Sequence, residues 1–240
     1  MYKIGEISKL TGVKEGTIRF YEKCGFLEEV KRLPNGYRTY NDHHVFQIRL
    51  CDIVFDSFVN SRIRKSSMKL IETAKVWDGG SFEEALNEYE TAIKTDVRRT
   101  KKAINIALEW NFDKANDGKS YTKKQAAELV GTTPEAIRNW ERNGLIPQSE
   151  AYKKRYYSGD VLERMYVIRL LLDTGYSIMA ILKFFKFMDA GKKKAAGKEL
   201  IDPDGEDLQS RADYYLKALN KVLKDSKKIE NLALTHHLLI

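Results

Sequence analysis

IGEISKLTGVKEGTIRFYE, residues 4–22, contains two short segments whose apolar residues recur at helical spacing. Gly12 separates the two segments, and glycine readily adopts the left-handed conformation that ends a helix. The stretch therefore predicts two short helices joined by a tight turn. Two such helices form a helix-turn-helix.

The same pattern returns in the second half of the chain, where residues 121–146 align with residues 2–27 at an offset of 119. The identical positions are Tyr2, Leu10, Gly12, Ile18, Arg19, Glu22 and Gly25, which match Tyr121, Leu129, Gly131, Ile137, Arg138, Glu141 and Gly144. Self-similarity of this kind indicates two copies of one supersecondary unit. The sequence therefore predicts two helix-turn-helix modules, module 1 and module 2.

The second copy carries explicit helix-start signals. Thr122 and Gln125 fit a capping box, and Thr133 precedes Pro134 as an N-cap. Lys3 takes the place of a capping residue in the first copy, so we expect its first helix to be less well capped. The predicted apolar faces contain Ile7, Leu10, Ile18 and Leu27 in one copy and Ala126, Leu129, Ile137 and Ile146 in the other.

A candidate β-hairpin follows each helix-turn-helix. In the first copy, strand-like residues 28–32 and 37–40 flank a turn that contains Asn35 and Gly36. Asn-Gly between such segments is a strong hairpin signal. In the second copy, residues 147–157 occupy the corresponding place without an Asn-Gly pair. The sequence therefore predicts a small β-wing in each module.

Further helices follow each wing, with Asn41, Ser158 and Ser177 as candidate caps. Each copy then ends in a longer helix, and a Ser81-x-x-Glu84 capping box predicts the start of the first one. Their apolar seams recur at alternating steps of four and three, at Phe82, Leu86, Tyr89, Ile93, Asp96, Thr100, Ala103, Ala107 and Trp110, and at Leu208, Ala212, Tyr215, Leu219, Val222, Ser226, Ile229 and Ala233. A narrow apolar stripe needs a partner helix. The long helices therefore pair with each other or with counterparts in another chain.

The predicted fold is all-α with small β-wings: two winged helix-turn-helix modules and two long helices that form a coiled coil. We place module 1 at residues 1–77 and the first long helix with a linker at residues 78–117. Module 2 then occupies residues 118–190, and a linker with the second long helix occupies residues 191–240.

Composition favours a polyanionic partner. The 240 residues are 42% hydrophobic and 32% charged, with a net charge of +8. Residues 1–117 carry 20 basic and 18 acidic side chains, and residues 118–240 carry 22 and 16, so the second half is the more basic. No apolar run reaches the roughly 20 residues of a spanning helix, and no signal-peptide core is present. We therefore expect a cytoplasmic protein that binds nucleic acid and no membrane.

Residues 4–22, 35–40 and 160–178 resemble the MerR family of bacterial transcription regulators. The resemblance covers nearly the whole chain, once per half, whereas family members usually carry one module and dimerise. It implies an antiparallel coiled coil, a double-stranded DNA operator as partner, and RNA polymerase at the promoter as a further partner. Family members bend and untwist a palindromic operator, and added contacts can repay such deformation.

The resemblance places Arg19 and Arg138 on helices that enter the major groove, where arginine bonds guanine bidentately or grips phosphate. Near the groove-facing start of these helices lie Lys14, Glu15 and Thr17 in one copy and Thr133, Glu135 and Asn139 in the other. Because the two sets differ chemically, we predict that the two half-sites differ. Capping and surface roles are the alternative for these residues.

The resemblance also assigns contacts to the DNA backbone. Tyr21 matches the phosphate-contacting tyrosine of the family, and Trp140 at that place keeps an N–H donor. A core position is the alternative for both rings. The wing contacts would come from Tyr37, Arg38, Lys154, Arg155 and Tyr156. Lys192, Lys193 and Lys194 are either linker charge or contacts to flanking DNA.

We expect no metal and no cofactor. The histidine pairs at residues 43–44 and 236–237 are sequence neighbours that cannot converge on one ion, and Cys24 and Cys51 do not match the sensor cysteines of the family. Aromatic residues near the ends of the modules either fill the core or line a pocket for an apolar small-molecule effector: Trp77, Trp110, Phe112, Phe184, Phe185 and Phe187. No catalytic motif occurs, so the chain is not predicted to be an enzyme.

The preferred interpretation is a sequence-specific transcription regulator that distorts a pseudo-palindromic promoter operator. One alternative is an architectural DNA-binding factor of recombination or phage biology with the same fold. Another is an interaction protein in which only module 2 binds DNA. The sequence leaves open whether the chain is a monomeric pseudo-dimer or a homodimer.

Overall fold

The computed structural model describes residues 1–56, 60–109, 118–146, 156–192 and 208–237. Within these ranges the regular secondary structure is helical apart from one short two-stranded sheet and two isolated β-bridges, which confirms the predicted fold class. Several residues discussed above lie outside the described ranges, namely Trp110, Phe112, Lys154, Arg155, Lys193 and Lys194. Most of the second predicted wing lies outside them as well.

The elements follow the predicted order in each copy. The first copy contains α1 (Ile4–Thr11), α2 (Glu15–Lys23), α3 (Asp42–Asp56), α4 (Ser61–Val76) and α5 (Gly79–Glu109). The second contains β1 (Ser120–Thr122), α6 (Lys123–Val130), α7 (Pro134–Arg142), β2 (Tyr156–Ser158), α8 (Gly159–Asp173), α9 (Ile178–Asp189) and α10 (Leu208–His237).

The chain divides into two compact units. Unit 1 comprises Met1–Lys94 and Ala218–Ile240, and unit 2 comprises Thr95–Lys217. Each unit therefore holds one module together with part of both long helices, α5 and α10. The division at residues 77, 117 and 190, which follows the sequence repeat, stays a prediction.

The turns of both helix-turn-helix motifs are built as predicted. Gly12 and Gly131 end α1 and α6 in the left-handed conformation, with φ of 76° and 80°. Thr122 caps α6 by accepting a hydrogen bond from the Gln125 N–H, and the Thr133 hydroxyl accepts from the Ala136 N–H at 3.1 Å. In α1, the Glu6 carboxylate accepts from the backbone N–H of residue 3 at 2.8 Å, and the lysine there supplies no side-chain cap.

Gly12→Ala is expected to lower the free energy of unfolding by about 1 kcal/mol, because a residue with a Cβ is strained at this positive φ. No atom lies within 4 Å of a Cβ built there, so the effect isolates backbone strain from steric clash. Gly16→Ala is the matched control, because Gly16 lies in α2 in an open position and alanine should stabilise it by roughly 0.5 kcal/mol. Urea unfolding of both variants measures the two effects. A loss of equal size at both positions would contradict the assignment.

The first wing is a hairpin, as predicted. The Leu33 N–H donates to the Tyr37 carbonyl at 2.8 Å, and the Thr39 N–H donates to the Lys31 carbonyl at 2.9 Å. The strand that returns from the wing also pairs with the residue in front of α1, through the bridge between Tyr2 and Tyr40.

Module 2 repeats this last pairing. In the antiparallel sheet of β1 and β2, Tyr121 lies opposite Tyr157. The tyrosine that precedes each helix-turn-helix is thus a strand partner of the returning wing strand. Sequence analysis noted the repeated tyrosine but did not predict this pairing.

The predicted apolar faces need one correction. Leu10 and Leu129 are 44% and 41% exposed, although their partners on those faces are buried. Their backbone carbonyls instead accept hydrogen bonds from other helices. Arg49 of α3 donates to the Leu10 carbonyl at 2.7 Å, and the Tyr166 hydroxyl of α8 donates to the Leu129 carbonyl at 3.0 Å. The ends of α1 and α6 are therefore fixed by polar contacts rather than by leucine burial.

In unit 1, α5 and α10 run antiparallel. Phe82, near the start of α5, and His236, near the end of α10, both contact the Phe46 ring, and further along the Ser226 hydroxyl of α10 donates to the Glu90 carboxylate at 3.0 Å. The predicted seams are buried wherever their side chains are described, except Ala107 and Ala233, which are half-buried. The polar seam residues Asp96, Thr100 and Ser226 are buried as well.

The start of α5 differs from the prediction. The helix begins at Gly79, and the Asp78 carbonyl accepts from the Phe82 N–H at 2.9 Å. The Asp78 carboxylate accepts from the Ser81 N–H and hydroxyl, and these hydrogen bonds lower its pKa. Ser81 is therefore a donor to the cap rather than the cap itself.

Each module is packed against the long helix of the other copy. In unit 1, His236 of α10 stacks on Phe46 of α3, with ring centroids 4.4 Å apart, and its Nε2 lies 2.8 Å from Nδ1 of His43. In unit 2, Arg99 of α5 donates to the Leu129 carbonyl of α6 at 2.9 Å. In both units, then, the long helix that packs against a module comes from the other copy, and we call this arrangement the helix exchange. The sequence pattern did not predict it.

His44 is expected to make unit 1 less stable at acidic pH. It is buried next to Tyr40, its Nε2 has no hydrogen-bond partner among the described residues, and burial lowers its pKa, while nearby Glu28 opposes that shift. Its pKa is near 6.5 in the unfolded chain, so the unfolded state binds more protons as pH falls below that value. The free energy of unfolding should therefore decrease below about pH 6.5.

Urea unfolding at several pH values between 8 and 5 measures this dependence. His44→Gln removes the ionisable ring and should flatten the pH profile. Profiles of equal slope in the two proteins would contradict the role assigned to His44.

Candidate nucleic-acid interface

The two recognition helices, α2 and α7, each present an exposed arginine. Arg19 pairs with Glu15 at 2.8 Å, and its side chain is 51% exposed. Arg138 pairs with Glu135 at 3.2 Å, and its side chain is 60% exposed. Exposed ion pairs of this kind contribute at most about 1 kcal/mol. Both guanidinium groups can therefore leave their glutamates and bind an external acceptor.

Other predicted residues lie around these arginines. Lys14, Thr133, Glu135 and Asn139 are exposed, and Glu15 and Thr17 are half-buried. The Thr133 hydroxyl oxygen already accepts a capping hydrogen bond, which leaves its proton for an outside acceptor. Both helices therefore expose a polar face, with different side chains in the two modules.

Sequence analysis missed Phe20. This ring is 56% exposed on α2, immediately after Arg19. It occupies the same repeat position as Asn139 in α7. Phe20 could have been identified from the sequence as an apolar ring on a helix face that is otherwise polar.

The structure buries the two aromatic residues expected at phosphate. Tyr21 is 5% exposed and packs against Phe26 and Phe55, and burial raises its pKa. Trp140 is 3% exposed in the core of unit 2. Both rings thus occupy the core position that was the alternative, and their contact with DNA stays a prediction.

A glutamate on each recognition helix holds the adjoining wing strand. The Arg38 Nε donates to the Glu22 carboxylate at 2.7 and 3.0 Å. In module 2, Glu141 is buried, accepts from Lys123 at 2.7 Å and pairs with the Tyr157 hydroxyl. These repeated glutamates position the wings, a role that the alignment alone did not indicate.

Of the predicted wing contacts, Tyr37 is 69% exposed and Tyr156 is 51% exposed. Arg38 is half-buried and engaged by the carboxylate of residue 22, so its charge toward an outside group is partly compensated. Lys192, at the end of the described part of the second copy, is exposed.

Arg164 of α8 holds the segment that follows α7 in place. Its side chain is buried, donates to the Leu145 carbonyl at 2.7 Å and forms a bidentate pair with Asp189 at 2.7 and 3.1 Å. Its guanidinium also lies 3.9 Å from the centre of the Phe185 ring. This contact links α8 and α9 to the residues that immediately follow the recognition helix.

Within the described residues, no three His, Cys, Asp or Glu side chains come together as metal ligands. The histidine pairs are nevertheless not independent, because His43 and His236 share a contact of 2.8 Å between ring nitrogens. Cys24 is exposed, whereas Cys51 is buried, and burial raises the pKa of its thiol to about 12.

The aromatic residues considered for an effector pocket divide into two groups. Phe184 and Phe185 are buried in the core of unit 2, and Phe187 packs against that core. Trp77 is half-buried in unit 1, where it contacts Phe82 and borders a cavity of about 400 Å³. The core interpretation therefore accounts for the residues in unit 2.

Comparison with known proteins agrees with the repeat. Residues 3–40 match the family described as MerR family regulatory protein. Residues 121–187 match the family described as MerR HTH family regulatory protein. Two helix-turn-helix motifs in one chain are the arrangement of a tandem DNA-binding protein. Each copy of the repeat thus contains one segment that is similar to the MerR family.

Several curated regulators are similar to parts of the chain. The mercuric resistance operon regulatory protein of Bacillus cereus is 29% identical over 109 residues, which is 43% of this chain and 80% of that protein. The transcriptional regulator CueR of Escherichia coli O157:H7 is 40% identical over 47 residues, and HmrR of Sinorhizobium medicae is 44% identical over 46 residues. These two matches cover 20% and 19% of this chain, and 35% and 31% of the relatives. No solved structure matches the chain.

Among the described residues, no helix is both long and apolar enough to span a bilayer.

Proposed function

We propose that this chain is a sequence-specific transcription regulator that binds one half-site of a double-stranded operator with each module and distorts the DNA between them. The observation that carries the proposal is the exposed arginine at the same position of both recognition helices, Arg19 and Arg138. The two matches to the MerR family and the names of the similar regulators agree with it. RNA polymerase at the promoter is the further partner in this mechanism.

The chemistry of the exposed faces suits direct base readout. Arginine bonds guanine O6 and N7 bidentately, and a neighbouring glutamate can accept from the cytosine amino group. Each module pairs these two side chains, as Arg19 with Glu15 and Arg138 with Glu135. The neighbouring lysines and wing residues would supply phosphate contacts that add affinity and salt dependence.

The two half-sites should differ at one position because of Phe20 and Asn139. An aromatic ring makes apolar contact with the thymine methyl group, whereas asparagine bonds adenine bidentately. These residues occupy equivalent places on α2 and α7. We therefore expect a pseudo-palindrome rather than a perfect palindrome.

The helix exchange supports a monomeric pseudo-dimer. Each module already contacts the long helix of the other copy, through the ring of His236 in unit 1 and through the guanidinium of Arg99 in unit 2. The contact between a module and a second long helix, which a partner chain would provide in a dimer, is therefore present within one chain. One chain should bind one operator, and its affinity should not depend on dimerisation.

Selection from a randomised duplex library with the full chain tests the proposal. The expected product contains two unlike half-sites, and light scattering should give one 27.7 kDa chain per duplex. Phe20→Asn should change the consensus in one half-site only, and Asn139→Phe should change it in the other. No enrichment, or two identical half-sites that both variants alter alike, would overturn the proposal.

The alternative in which only module 2 binds DNA has less support. Arg19 is almost as exposed as Arg138 and is held by a similar glutamate. The lower net charge of residues 1–117 therefore does not reflect a lost recognition face.

A further inference from the structure

A concave groove in unit 2 separates α5 from the helix-turn-helix of module 2. Its volume is about 660 Å³, which lies within the range of small-molecule sites. The side chains of Arg98, Arg99 and Lys102 line one side, and Tyr121, Glu128 and Tyr166 lie on the other. Neither recognition helix contributes to its lining.

The charged side of the groove is basic. Among the described residues that line it, three side chains are cationic and one is acidic, so this part of the lining is net positive. Arg98 and Lys102 lie one helical turn apart, are exposed, and make no ion pair with any described residue. Arg98 donates to the Thr95 hydroxyl at 3.3 Å, which is a weak neutral contact. These two cations therefore remain available for an anion.

The walls of the groove are held in place. Arg99 donates to the Leu129 carbonyl at 2.9 Å and also contacts the Glu128 carbonyl, which ties α5 to the end of α6. The Tyr166 hydroxyl donates to the same Leu129 carbonyl at 3.0 Å, and its ring is covered by the Lys102 ammonium at 4.5 Å from the ring centre. A ligand would therefore meet a largely preformed shape, and this reduces the ordering cost of binding.

We propose that this groove binds a small organic anion with a planar ring. The anionic group, a carboxylate, sulfonate or phosphate, lies between Arg98 and Lys102, where charge-assisted hydrogen bonds are strong. The ring lies against Tyr121, since aromatic pairs prefer offset or edge contacts. Tyr166 also borders the groove but is buried. Glu128 disfavours a second negative charge at the opposite end.

The groove suits a small molecule better than a DNA backbone. A phosphate contact would leave the faces of its aromatic rings unused, whereas a planar ligand would pack against them. The groove also lies on the α6 side of module 2 and contains no residue of α7, the helix that carries Arg138. The proposal does not depend on the DNA-binding proposal, because the residues involved are different.

Titration with 1-anilinonaphthalene-8-sulfonate, a fluorescent planar sulfonate, tests the site on the full chain. The expected result is saturable binding of one molecule per chain. The double variant Arg98→Met, Lys102→Met should weaken it at least tenfold, because both cations are removed while the apolar length is kept. Glu128→Gln should strengthen binding by a few fold, because it removes the one carboxylate among the described lining residues.

Two controls separate charge recognition from general stickiness. Lys101→Met removes an exposed lysine of the same helix that does not line the groove, and should leave the affinity unchanged. The uncharged analogue N-phenyl-1-naphthylamine should bind more weakly and should not distinguish the variants. Circular dichroism confirms that each variant keeps its helical content.

Several results would overturn the proposal: no saturable binding, equal loss in Lys101→Met, or equal affinity for the neutral analogue. If the double variant weakens duplex binding instead and the sulfonate does not bind, the groove is a phosphate contact for DNA and the small-anion site is wrong. If the wild-type protein binds its duplex but not the sulfonate, the small-anion site is rejected and the DNA-binding proposal is unaffected.

Discussion

Arg138→Glu is expected to weaken binding of the full chain to its selected duplex by roughly 100-fold, because one bidentate base contact contributes about 1–3 kcal/mol and the new carboxylate repels the DNA. Arg19→Glu should have an effect of similar size, since the side chains of Arg19 and Arg138 are 51% and 60% exposed on equivalent helix positions. The double variant should bind no better than a non-specific protein.

Fluorescence anisotropy at several salt concentrations measures these effects. If the lost contact is to a base, each single variant should also relax sequence preference at one position of its own half-site. Lys217→Glu is the control, since it makes the same change of charge at an exposed position of α10 outside the recognition helices. An Arg19→Glu protein that binds as tightly as this control would show that module 1 does not contact DNA.

Arg164→Ala is expected to lower the free energy of unfolding by about 3 kcal/mol. The substitution leaves the Leu145 carbonyl without its donor and removes packing from a buried position beside the Phe185 ring. Leu145 lies three residues after the end of α7, and its own N–H donates to the Trp140 carbonyl at 2.9 Å. DNA binding should therefore weaken at temperatures where the variant remains folded.

Two further variants separate the contribution of the ion pair from the rest of the stability loss in Arg164→Ala. Asp189→Asn should cost only about 1 kcal/mol, because the aspartate side chain is 51% exposed and water can replace part of the ion pair. Lys186→Ala, an exposed change on the same helix, should stay within about 0.5 kcal/mol. Urea unfolding of the three proteins gives the order. An Asp189→Asn loss as large as that of Arg164→Ala would assign the effect to the ion pair instead.

Local patterns in the sequence predicted most of the helices and their ends. The caps at Thr122, Thr133 and Ser177 are confirmed, because a hydroxyl a few residues from its N–H partner is a local contact. The long seams are buried as their spacing predicted, because a helical stripe is also a local property. The cap at Ser81 was wrong because Asp78, one turn earlier, is the stronger acceptor.

The missed features depend on contacts between residues distant in sequence. The strand pairing of Tyr2 with Tyr40, and the contact of His43 with His236, join residues that no local periodicity connects. For the candidate interface, the repeat predicted the equivalent helix positions of Arg19 and Arg138, and both side chains are exposed, while their contact with DNA stays a prediction. It could not show that Tyr21 is buried or that Phe20 is exposed, because neighbouring aromatic residues on a helix differ only in which face meets the core.

The two unlike recognition helices of one chain have a consequence for how such a protein diversifies. A regulator assembled from identical subunits must accept every mutation twice, so any new base preference appears symmetrically on both sides of its target. In this chain a change such as the one that distinguishes Phe20 from Asn139 alters one side alone. Duplication within a single gene thereby frees the two arms to drift toward asymmetric targets without an intermediate in which both arms lose their fit.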